Sequence, residues 1–480
     1  MADIVLAAIN AKWIHPSLAL RLLKANLGSL ETRCEIFEFA LRQPLIEKTE
    51  PLIAALTAPP GHTRVLGISV SIWNHLATIE LLKELEKHRR EGLNPVVVLG
   101  GPEVSHLSEQ AEIFRYADYV IRGDGEIAFK TLCEEILSNG RDFCSKPRGG
   151  QPLFIDAQNA DAGKIKSAYH LYTDEDLTKK LVYVEASRGC PFSCEFCLSA
   201  VKNSGGAVRE FPIESFLNDM EELVRRGAKT FKFLDRTFNI NIKRAVCIME
   251  FFLKKIEEKK GDIIVHFEMA ASLFPPELRE TLARFPAGTL RLETGIQTLN
   301  PEVSARIGRL SNPDKELEAI RFLAEKTNAV IHADLIAGLP GESLASFGNG
   351  FDRLAGCLLN GAFHESEKTR SRAEIQLGIL KLLPGAPISR HNETFKMRYN
   401  SLPPYEIEET STMSAHDLER IKNFARFWEI IVNRSLVNYG DNKPVFERFM
   451  RLSDMLLSRF GRNWGIDKHE LLSVLHEYRL

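Results

Sequence analysis

The stretch SRGCPFSCEFCLS, residues 187–199, holds three of the eight cysteines in the chain. Cys190, Cys194 and Cys197 follow one another in a C-x₃-C-x₂-C spacing. Three thiolates this close can share one face of an iron–sulfur cluster or bind one zinc ion, but structural zinc usually takes four ligands, often as two separated pairs. No such pair follows downstream, so the spacing favours a four-iron cluster with one iron open to substrate or cofactor. Zinc binding and a chance grouping are the alternatives.

Length, composition and charge describe the kind of protein that carries this stretch. At 480 residues, the chain predicts two or three domains, and 44% apolar with 26% charged residues is typical of a globular protein. The net charge of −2 gives no strong signal for nucleic acid or anionic membrane. No apolar run approaches the ~20 residues of a membrane span. The opening residues contain Asp3 and no basic leader, so we expect a cytoplasmic protein with reduced thiols.

The N-terminal part, residues 1–145, alternates apolar runs with amphipathic stretches such as residues 76–90. This alternation predicts an α/β domain in which helices cover a doubly wound, Rossmann-like parallel sheet. Residues 146–180 lack periodicity and are predicted to be a linker. The predicted strands are residues 3–9, 34–40, 65–72, 95–101 and 117–123.

A second alternating region, residues 181–395, predicts a partial (β/α)₆ barrel, in which ligands gather at the carboxyl ends of the strands. Residues 396–480 are predicted to form a helical C-terminal domain. Its first helix starts at a capping box of Ser414 and Asp417, carries an aromatic stripe that indicates core packing, and ends near Gly440. The predicted barrel strands are residues 181–186, 230–235, 262–268, 289–294, 329–336 and 375–382.

The cysteine spacing, with Phe196 just before the last cysteine, resembles the signature of the radical S-adenosylmethionine (SAM) enzymes. Four strand ends extend the resemblance: FLDRTFN (233–239), LETGIQTLN (292–300), DLIAGLPGE (334–342) and LKLLPGAP (380–387). The resemblance implies that the three cysteines hold a 4Fe-4S cluster. It implies SAM contacts from Phe196, Asp235, Glu293, Gln297, Ile336, Gly338 and Leu382.

The resemblance assigns a part of SAM to several of these segments. Asp235 stands where the family commonly has Gly-Gly-Glu, in the segment that meets the methionine amino group. Glu293 and Gln297 are expected near the polar part of the cofactor, and the backbone of residues 334–342 is expected along the adenine. Taken singly, each of these residues is an ordinary strand end or turn.

The N-terminal region resembles the cobalamin-binding domain that precedes the barrel in one large radical SAM group. The segments GISVSIW (67–73), VLGGPEVS (98–105) and GDGE (123–126) carry this resemblance. A generic doubly wound domain with glycine turns is the alternative. The implied cobalamin contacts are Ser69, Ser71, Gly100, Gly101, Gly123, Gly125 and Glu126.

A histidine ligand to cobalt is not expected. The methionine-synthase type of cobalamin domain carries D-x-H-x-x-G after its first strand, and the equivalent loop here is NAKWIHPSL (10–18). It contains His15, but Trp13 replaces the aspartate that would orient the imidazole, and Leu18 replaces the glycine. We therefore predict an ordinary hydrogen bond for His15, and His75 is a still weaker candidate ligand.

The same loop and the segment PPYEIEETSTMS (403–414) resemble one subgroup, whose C-terminal domain has no assigned function. The resemblance implies an oxygen-sensitive methyltransferase that uses a 5′-deoxyadenosyl radical and methylcobalamin to methylate an unactivated carbon. It also implies a flavodoxin or ferredoxin as reductant. A small-molecule substrate is favoured, and no single catalytic residue is indicated.

Other functions stay open at this point. One is a rearrangement, ring contraction or reduction, with cobalamin assisting or absent, and another is a non-catalytic iron–sulfur sensor or binding module. Oxygen-independent coproporphyrinogen oxidases have similar barrel segments but no cobalamin domain. Methylthiotransferases usually carry a second cluster, for which Cys34, Cys133 and Cys144 form no recognisable set.

Overall fold

The computed structural model divides the chain into two compact units. Unit 1 consists of Met1–Arg188 and Val208–Lys232, and unit 2 consists of Gly189–Ala207 and Phe233–Leu480. Within the described residues, no helix combines the length and apolarity that crossing a membrane requires. The structure describes residues 2–57, 62–89, 93–140, 150–201, 207–309, 311–359, 373–434 and 444–477.

Unit 1 is built on a six-stranded sheet of order β2-β1-β3-β4-β5-β6, in which every neighbouring pair is parallel. The chain leaves β1 for β2 on one side and returns to β3 on the other, so the order reverses beside β1, where open α/β sheets bind ligands. The strands of this sheet are β1 (Ile4–Asn10), β2 (Cys34–Ala40), β3 (Val65–Ser69), β4 (Val96–Gly100), β5 (Tyr119–Arg122) and β6 (Leu153–Asp156).

Helices cover both faces of this sheet, which explains the continuous apolar strands of the sequence. In β1, Val5 packs in one core with residues of the second and third helices, and Leu6 packs in another with residues of the first and fourth. The helices of unit 1 are α1 (Leu18–Ala25), α2 (Leu45–Leu56), α3 (His75–Arg89), α4 (Gly125–Asn139), α5 (Asp174–Lys179) and α6 (Ile213–Arg225).

The segment 146–180, predicted as a linker, contains a strand and an α-helix in its described part. Strand β6 pairs in parallel with β5, and α5 begins at a capping box of Thr173 and Asp176. Strand β6 has only four residues, none of them fully buried, and its apolar run LFI is too short to predict a strand by itself. Three short strands complete unit 1: β7 (Val182–Val184), β8 (Ser187–Arg188) and β9 (Arg209–Glu210).

Strand β10 is Thr230–Phe233. Its first three residues belong to unit 1, and Phe233 belongs to unit 2. Unit 2 then contains four parallel strands in the order β14-β13-β12-β11. Strands therefore form at all six positions predicted for the barrel. The strands of unit 2 are β11 (Ile264–Glu268), β12 (Leu290–Gln297), β13 (Val330–Ala337), β14 (Ala373–Ile379), β15 (Arg398–Tyr399) and β16 (Ile407–Glu409).

The central strands of unit 2 alternate strictly in burial. On β12, Leu292 and Thr294 are buried, whereas Glu293 and Gly295 between them are half-buried. Successive side chains of a strand point to opposite faces, so one face belongs to the core and the other carries the polar residues. The helices of unit 2 are α7 (Ile242–Glu258), α8 (Pro276–Ala283), α9 (Pro301–Arg306), α10 (Pro313–Lys326), α11 (Leu344–Leu359), α12 (Ala415–Trp428), α13 (Phe446–Phe460) and α14 (Lys468–Glu477).

The C-terminal helices share a core with the barrel region instead of forming a separate unit. Ser414 and Asp417 form the predicted capping box of α12. The predicted stripe is confirmed as core, since the ring of Trp428 lies 4.9 Å from that of Phe351 on α11 and 4.9 Å from that of Phe449 on α13. These contacts explain why 233–395 and 396–480 fall in one unit. Gly440, the predicted helix end, lies outside the described residues.

Candidate active site

The three cysteines of the opening stretch line one cavity in unit 2. Cys190, Cys194 and Cys197 are each half-buried, and the cavity has a volume of about 130 Å³. A turn in which the amide of Cys197 donates to the carbonyl of Cys194 (2.9 Å) brings the last two together. Burial raises the pKa of the Cys194 thiol, and the guanidinium of Arg309, which donates to its sulfur, opposes this shift. Phe196 also lines the cavity, as its sequence position predicts.

The segment after β10 also lines this cavity, but with residues other than the predicted Asp235. Arg236 and Thr237 line it, and the Thr237 hydroxyl lies 3.6 Å from the Cys190 sulfur. Asp235, for which the resemblance implies a SAM contact, is buried and is not among the lining residues. Its contact with SAM therefore stays a prediction.

The end of β12 is strained where it enters the cavity. Gln297 has φ of +66°, and the pairing register of β12 with β13 shifts between Gly295 and Gln297. A Cβ on Gly295 would lie 2.1 Å from the side-chain nitrogen Nε2 of Gln297, so this conformation of the Gln297 side chain requires glycine at 295. The Gln297 Oε1 atom is buried and has no hydrogen-bond partner in the described residues. Strain and an unsatisfied acceptor at one residue are typical of a functional site.

Glu293, predicted with Gln297 near the polar part of SAM, lies four residues earlier on β12 and does not line the cavity. Its Oε2 lies 3.3 Å from Nε2 of His266 on β11. On β13, His332 stacks near His266, with ring centroids 6.0 Å apart, and its Nδ1 lies 3.0 Å from a carboxylate oxygen of Glu374. These residues form a row of imidazoles and carboxylates on the polar face of the sheet.

Arg309 and Glu316 form a buried ion pair in the lining of the cavity that the sequence does not predict. The Nη2 atom of Arg309 donates to the carbonyl of Gly295 (2.6 Å) and to Oε1 of Glu316 (2.8 Å), and its buried Nε has no partner in the described residues. Glu316 is 1% exposed, and burial raises its pKa against the opposing effect of Arg309. In the sequence, both residues read as ordinary charges around a helix start, so only their burial identifies them.

The predicted residues of the fifth and sixth strand ends do not line the cavity. Gly338 follows β13 with φ of +86°, and a Cβ there would lie 2.5 Å from Cγ2 of Ile407. This packing requires glycine without any ligand. Ile336 and Leu382 are half-buried, and the Leu382 amide donates to the carbonyl of Tyr405 (3.0 Å). Their roles at SAM stay predictions.

In unit 1, the loops that follow β1, β3, β4 and β5 emerge at one edge of the sheet, because parallel strands end at the same edge. Asn74 organises the loop after β3: its amide donates to the carbonyls of Ser69 (3.1 Å) and Ile9 (2.9 Å), and its Oδ1 accepts from the Ser71 amide (2.8 Å). Large apolar side chains stand exposed in these loops and at the start of α4, among them Trp13 (49%), Trp73 (53%) and Ile127 (51%).

The two glycines at the end of β4 differ in the space around them. Gly101 has φ of +110°, and a Cβ there would lie 2.5 Å from the Val70 carbonyl oxygen, so the fold itself needs this glycine. At Gly100, the nearest heavy atom to an added Cβ would be the Ile121 oxygen at 3.7 Å, which is an ordinary contact. The space above Gly100 is therefore available to a ligand.

The GDGE segment contributes to the structure of unit 1 through its backbone and through Glu126. Gly123 has φ of +89° and Gly125 starts α4. Glu126 is buried, and its Oε1 accepts from Nη2 of Arg188 (2.6 Å), the residue that precedes the cysteine loop by two positions. Its other oxygen is buried and has no partner in the described residues.

His15 and His75, the candidate cobalt ligands, each have a side-chain partner. His15 Nδ1 lies 2.8 Å from the Tyr183 hydroxyl, which is the ordinary hydrogen bond predicted, and burial lowers its pKa, with Lys232 and Lys12 adding to the shift. His75 starts α3, and its Nδ1 lies 2.8 Å from a carboxylate oxygen of the buried Glu103.

The isolated cysteines of unit 1 are core residues. Cys34 and Cys133 are both buried, and burial raises the pKa of Cys34 to about 12 and that of Cys133 still further above its ordinary value. Neutral buried thiols are poor cluster ligands, because the thiolate is the form that binds metal. Cys144 lies outside the described residues.

The comparisons with known proteins agree with this site. A model of the radical SAM superfamily matches residues 184–354. An uncharacterized methyltransferase from Pyrococcus horikoshii is 26% identical over 313 residues, which are 62% of this chain and 63% of that protein. The cobalamin-dependent radical SAM methyltransferase TokK from Streptomyces tokunonensis is 27% identical over 356 residues, which are 68% of this chain and 48% of TokK.

Among solved structures, the cobalamin-dependent SAM radical enzyme OxsB, with aqua-cobalamin and SAM bound, aligns with a TM-score of 0.66. The alignment covers 100% of this chain and 75% of OxsB at 14% identity, and it shows the fold alone. The match covers 63% of the length of the Pyrococcus horikoshii protein and 48% of the length of TokK, so the chain spans only part of these relatives. Residues 184–354 thus match the radical SAM superfamily, and the chain is similar in sequence to a protein named as a cobalamin-dependent radical SAM methyltransferase.

Proposed function

We propose that this chain is a cobalamin-dependent radical SAM methyltransferase that acts on an unactivated carbon of a small molecule. The observation that carries the proposal is the cavity of unit 2, where three cysteine thiols meet buried polar atoms that have no partner among the residues described by the structure. When bound, a 4Fe-4S cluster would supply the electron that cleaves SAM to a 5′-deoxyadenosyl radical, and cobalamin would carry the methyl group.

The polar groups of the cavity suit the amino-acid end of SAM. The guanidinium of Arg309 is held by Glu316 and by the Gly295 carbonyl, and it can pair with a carboxylate. The unsatisfied Oε1 of Gln297 can accept from an ammonium or hydroxyl group. Phe192 and Met269 line the same cavity and would help to exclude water from a radical.

The carboxyl edge of the sheet in unit 1 suits a large flat ligand such as cobalamin. The exposed Trp13, Trp73 and Ile127 provide apolar surface that a corrin ring can cover, and Gly100 leaves space beside them. His15 is bonded to Tyr183, so we propose that cobalamin binds without an imidazole on cobalt.

The proposed reaction needs a partner and a compartment. Reductive cleavage of SAM consumes one electron, so we propose a flavodoxin or ferredoxin as donor. The proposed reaction is sensitive to oxygen, so a cytoplasmic location is the corresponding proposal.

Analysis of the coproducts of SAM tests this function. The protein would be purified anaerobically, reconstituted with iron, sulfide and cobalamin, and given SAM and a reductant. Methyl donation leaves S-adenosylhomocysteine, whereas reductive cleavage leaves 5′-deoxyadenosine and methionine. We expect the wild-type protein to form both S-adenosylhomocysteine and 5′-deoxyadenosine, because the two molecules of SAM break at different bonds.

Two variants separate the two branches. Replacement of Cys190, Cys194 and Cys197 by alanine should abolish 5′-deoxyadenosine. Gly100→Leu, which the local space tolerates, should suppress S-adenosylhomocysteine by displacing cobalamin and should leave 5′-deoxyadenosine formation in place. If bound cobalamin is never methylated while 5′-deoxyadenosine forms, the methyltransferase proposal fails and a rearrangement or reduction takes its place.

A further inference from the structure

Glu195 lies inside the cysteine motif, between Cys194 and Phe196, and its side chain is engaged away from the cavity. It is 7% exposed and is not among the residues that line the cavity. Its Oε2 accepts from Nε2 of His391 (2.9 Å), and its Oε1 pairs with the guanidinium of Arg390. A buried carboxylate is costly unless it is paired, so these two partners account for its position.

The backbone of the loop is fastened at the same place. The Glu195 amide donates to the carbonyl of Ile307 (2.9 Å), and the Ile388 amide donates to the carbonyl of Glu195 (3.0 Å). Gly308 has φ of +67°, and a Cβ there would lie 2.9 Å from the Ser193 oxygen. Side chain and backbone together therefore fix the part of the loop that carries the second cysteine.

The partners of Glu195 connect this loop to the loop after the fifth barrel strand. The Phe395 amide donates to the carbonyl of His391 (3.0 Å). The Cζ atom of Arg306 lies over the Phe395 ring, 4.9 Å from the ring centroid. Arg306 in turn donates to the Pro340 carbonyl (2.7 Å). His391 is thus part of a contiguous set of contacts that joins two loops of unit 2.

We propose that Glu195, held by His391, is a positioning residue that fixes the cysteine loop and sets the reduction potential of the cluster. The proposal rests on the 4Fe-4S cluster of the proposed function. Reduction adds negative charge to a cluster, so a nearby carboxylate opposes it, and donors that neutralise the carboxylate relieve that opposition. His391 is the buried donor of the pair, whereas the Arg390 side chain is 63% exposed and more strongly screened by water.

The test is the midpoint potential of the reconstituted cluster, followed by electron paramagnetic resonance during a redox titration of the full chain. His391→Ala leaves the carboxylate less compensated and should lower the potential. Glu195→Gln removes the charge and should raise it. We expect each shift to reach about tenfold in the reduction equilibrium, which is about 59 mV for a one-electron couple.

Matched variants separate this role from damage to the fold. His391→Gln keeps an N–H donor and should return the potential toward that of the wild type, and His416→Ala removes an exposed histidine of the same unit and should change nothing. Opposite shifts in His391→Ala and Glu195→Gln support the proposal. Equal potentials in wild type and Glu195→Gln overturn it, even if His391→Ala has lost its iron.

The outcome is distinguishable from failure of the proposed function. A wild-type protein that binds no iron–sulfur cluster refutes the proposed function at its first step. A wild-type protein that binds the cluster but forms no S-adenosylhomocysteine refutes methyl transfer, and the measured potentials still decide the role of Glu195.

Discussion

Glu342, at the end of the DLIAGLPGE segment, gives unit 2 a stability that depends on pH. Its carboxyl group is 2% exposed, and its Oε1 accepts from the hydroxyl groups of Thr298 (2.7 Å) and Ser346 (3.3 Å). Its Oε2 is buried and has no partner in the described residues. Burial raises the pKa of Glu342 from 4.5 to about 7, against the opposing effect of the two hydrogen bonds.

The direction of the effect follows from the two pKa values. In the unfolded chain the carboxyl ionises near pH 4.5, whereas in the folded chain it holds its proton to about pH 7. The neutral form therefore stabilises the fold fully below pH 4.5, and this contribution is lost as the pH rises through 7. A shift of this size corresponds to roughly 3 kcal/mol at 1.36 kcal/mol per pKa unit.

Glu342→Gln removes the charge and keeps an acceptor for Thr298. We expect the variant to unfold at a higher temperature than the wild type at pH 8, by several degrees, because about 3 kcal/mol is the most that a neutral side chain can recover there. At pH 4.5 the two proteins should unfold at nearly the same temperature. Thermal unfolding followed by circular dichroism at both pH values measures the difference.

Glu302→Gln is the matched control, because Glu302 is an exposed carboxylate of the same unit. It should behave like the wild type at both pH values. The reasoning is refuted if Glu342→Gln gains no stability at pH 8, or if it gains the same amount at pH 4.5, since a constant gain would have a cause other than ionisation.

Two further expectations concern the proposed cofactors. Replacement of Cys190, Cys194 and Cys197 together by alanine should abolish the visible iron–sulfur absorption. It should leave the helical circular dichroism largely intact, because these side chains lie in a loop. An undiminished absorption spectrum, or stoichiometric zinc in the wild type, would contradict the cluster. The cobalt(II) form of the cobalamin-bound protein should show no nitrogen hyperfine splitting from imidazole in electron paramagnetic resonance, and splitting that disappears in His15→Ala would show that the loop at 10–18 was misinterpreted.

The sequence predicts the elements of this fold well where burial enforces a pattern. Strand β2 coincides with the predicted run 34–40, and β12 and β13 cover the runs predicted at 289–294 and 329–336. Strand β6 is not predicted, because it has only three apolar residues in a row, LFI at 153–155. Phe154 and Ile155 pack against the two cores of the sheet and the strand pairs with β5, yet a run this short does not distinguish an edge strand from a loop.

The same limit applies to the site. The cysteine spacing predicts three residues that the fold brings into one cavity, and Gln297 joins them. Asp235 and Glu293 belong to the same matched segments, yet Asp235 is buried outside the lining and Glu293 faces His266. A motif fixes which strand end approaches the site, whereas the exact side chain that reaches it depends on where the strand stops and how the next turn bends.

Arg309 shows what neither motif nor periodicity can supply. In sequence it is one of many charged residues near a helix start, and its role depends on a buried acid seven residues later, Glu316. That acid holds the guanidinium against the carbonyl of Gly295, at the same bulge that puts Gln297 into the left-handed region. These features form one arrangement. The absence of a side chain at Gly295 leaves room for the Gln297 side chain, and the ion pair of Arg309 and Glu316 holds the Gly295 carbonyl. Within the described part of the chain, this arrangement leaves Gln297 Oε1 and Arg309 Nε without a partner, and buried polar atoms left in this way are typical of a site that binds a polar ligand.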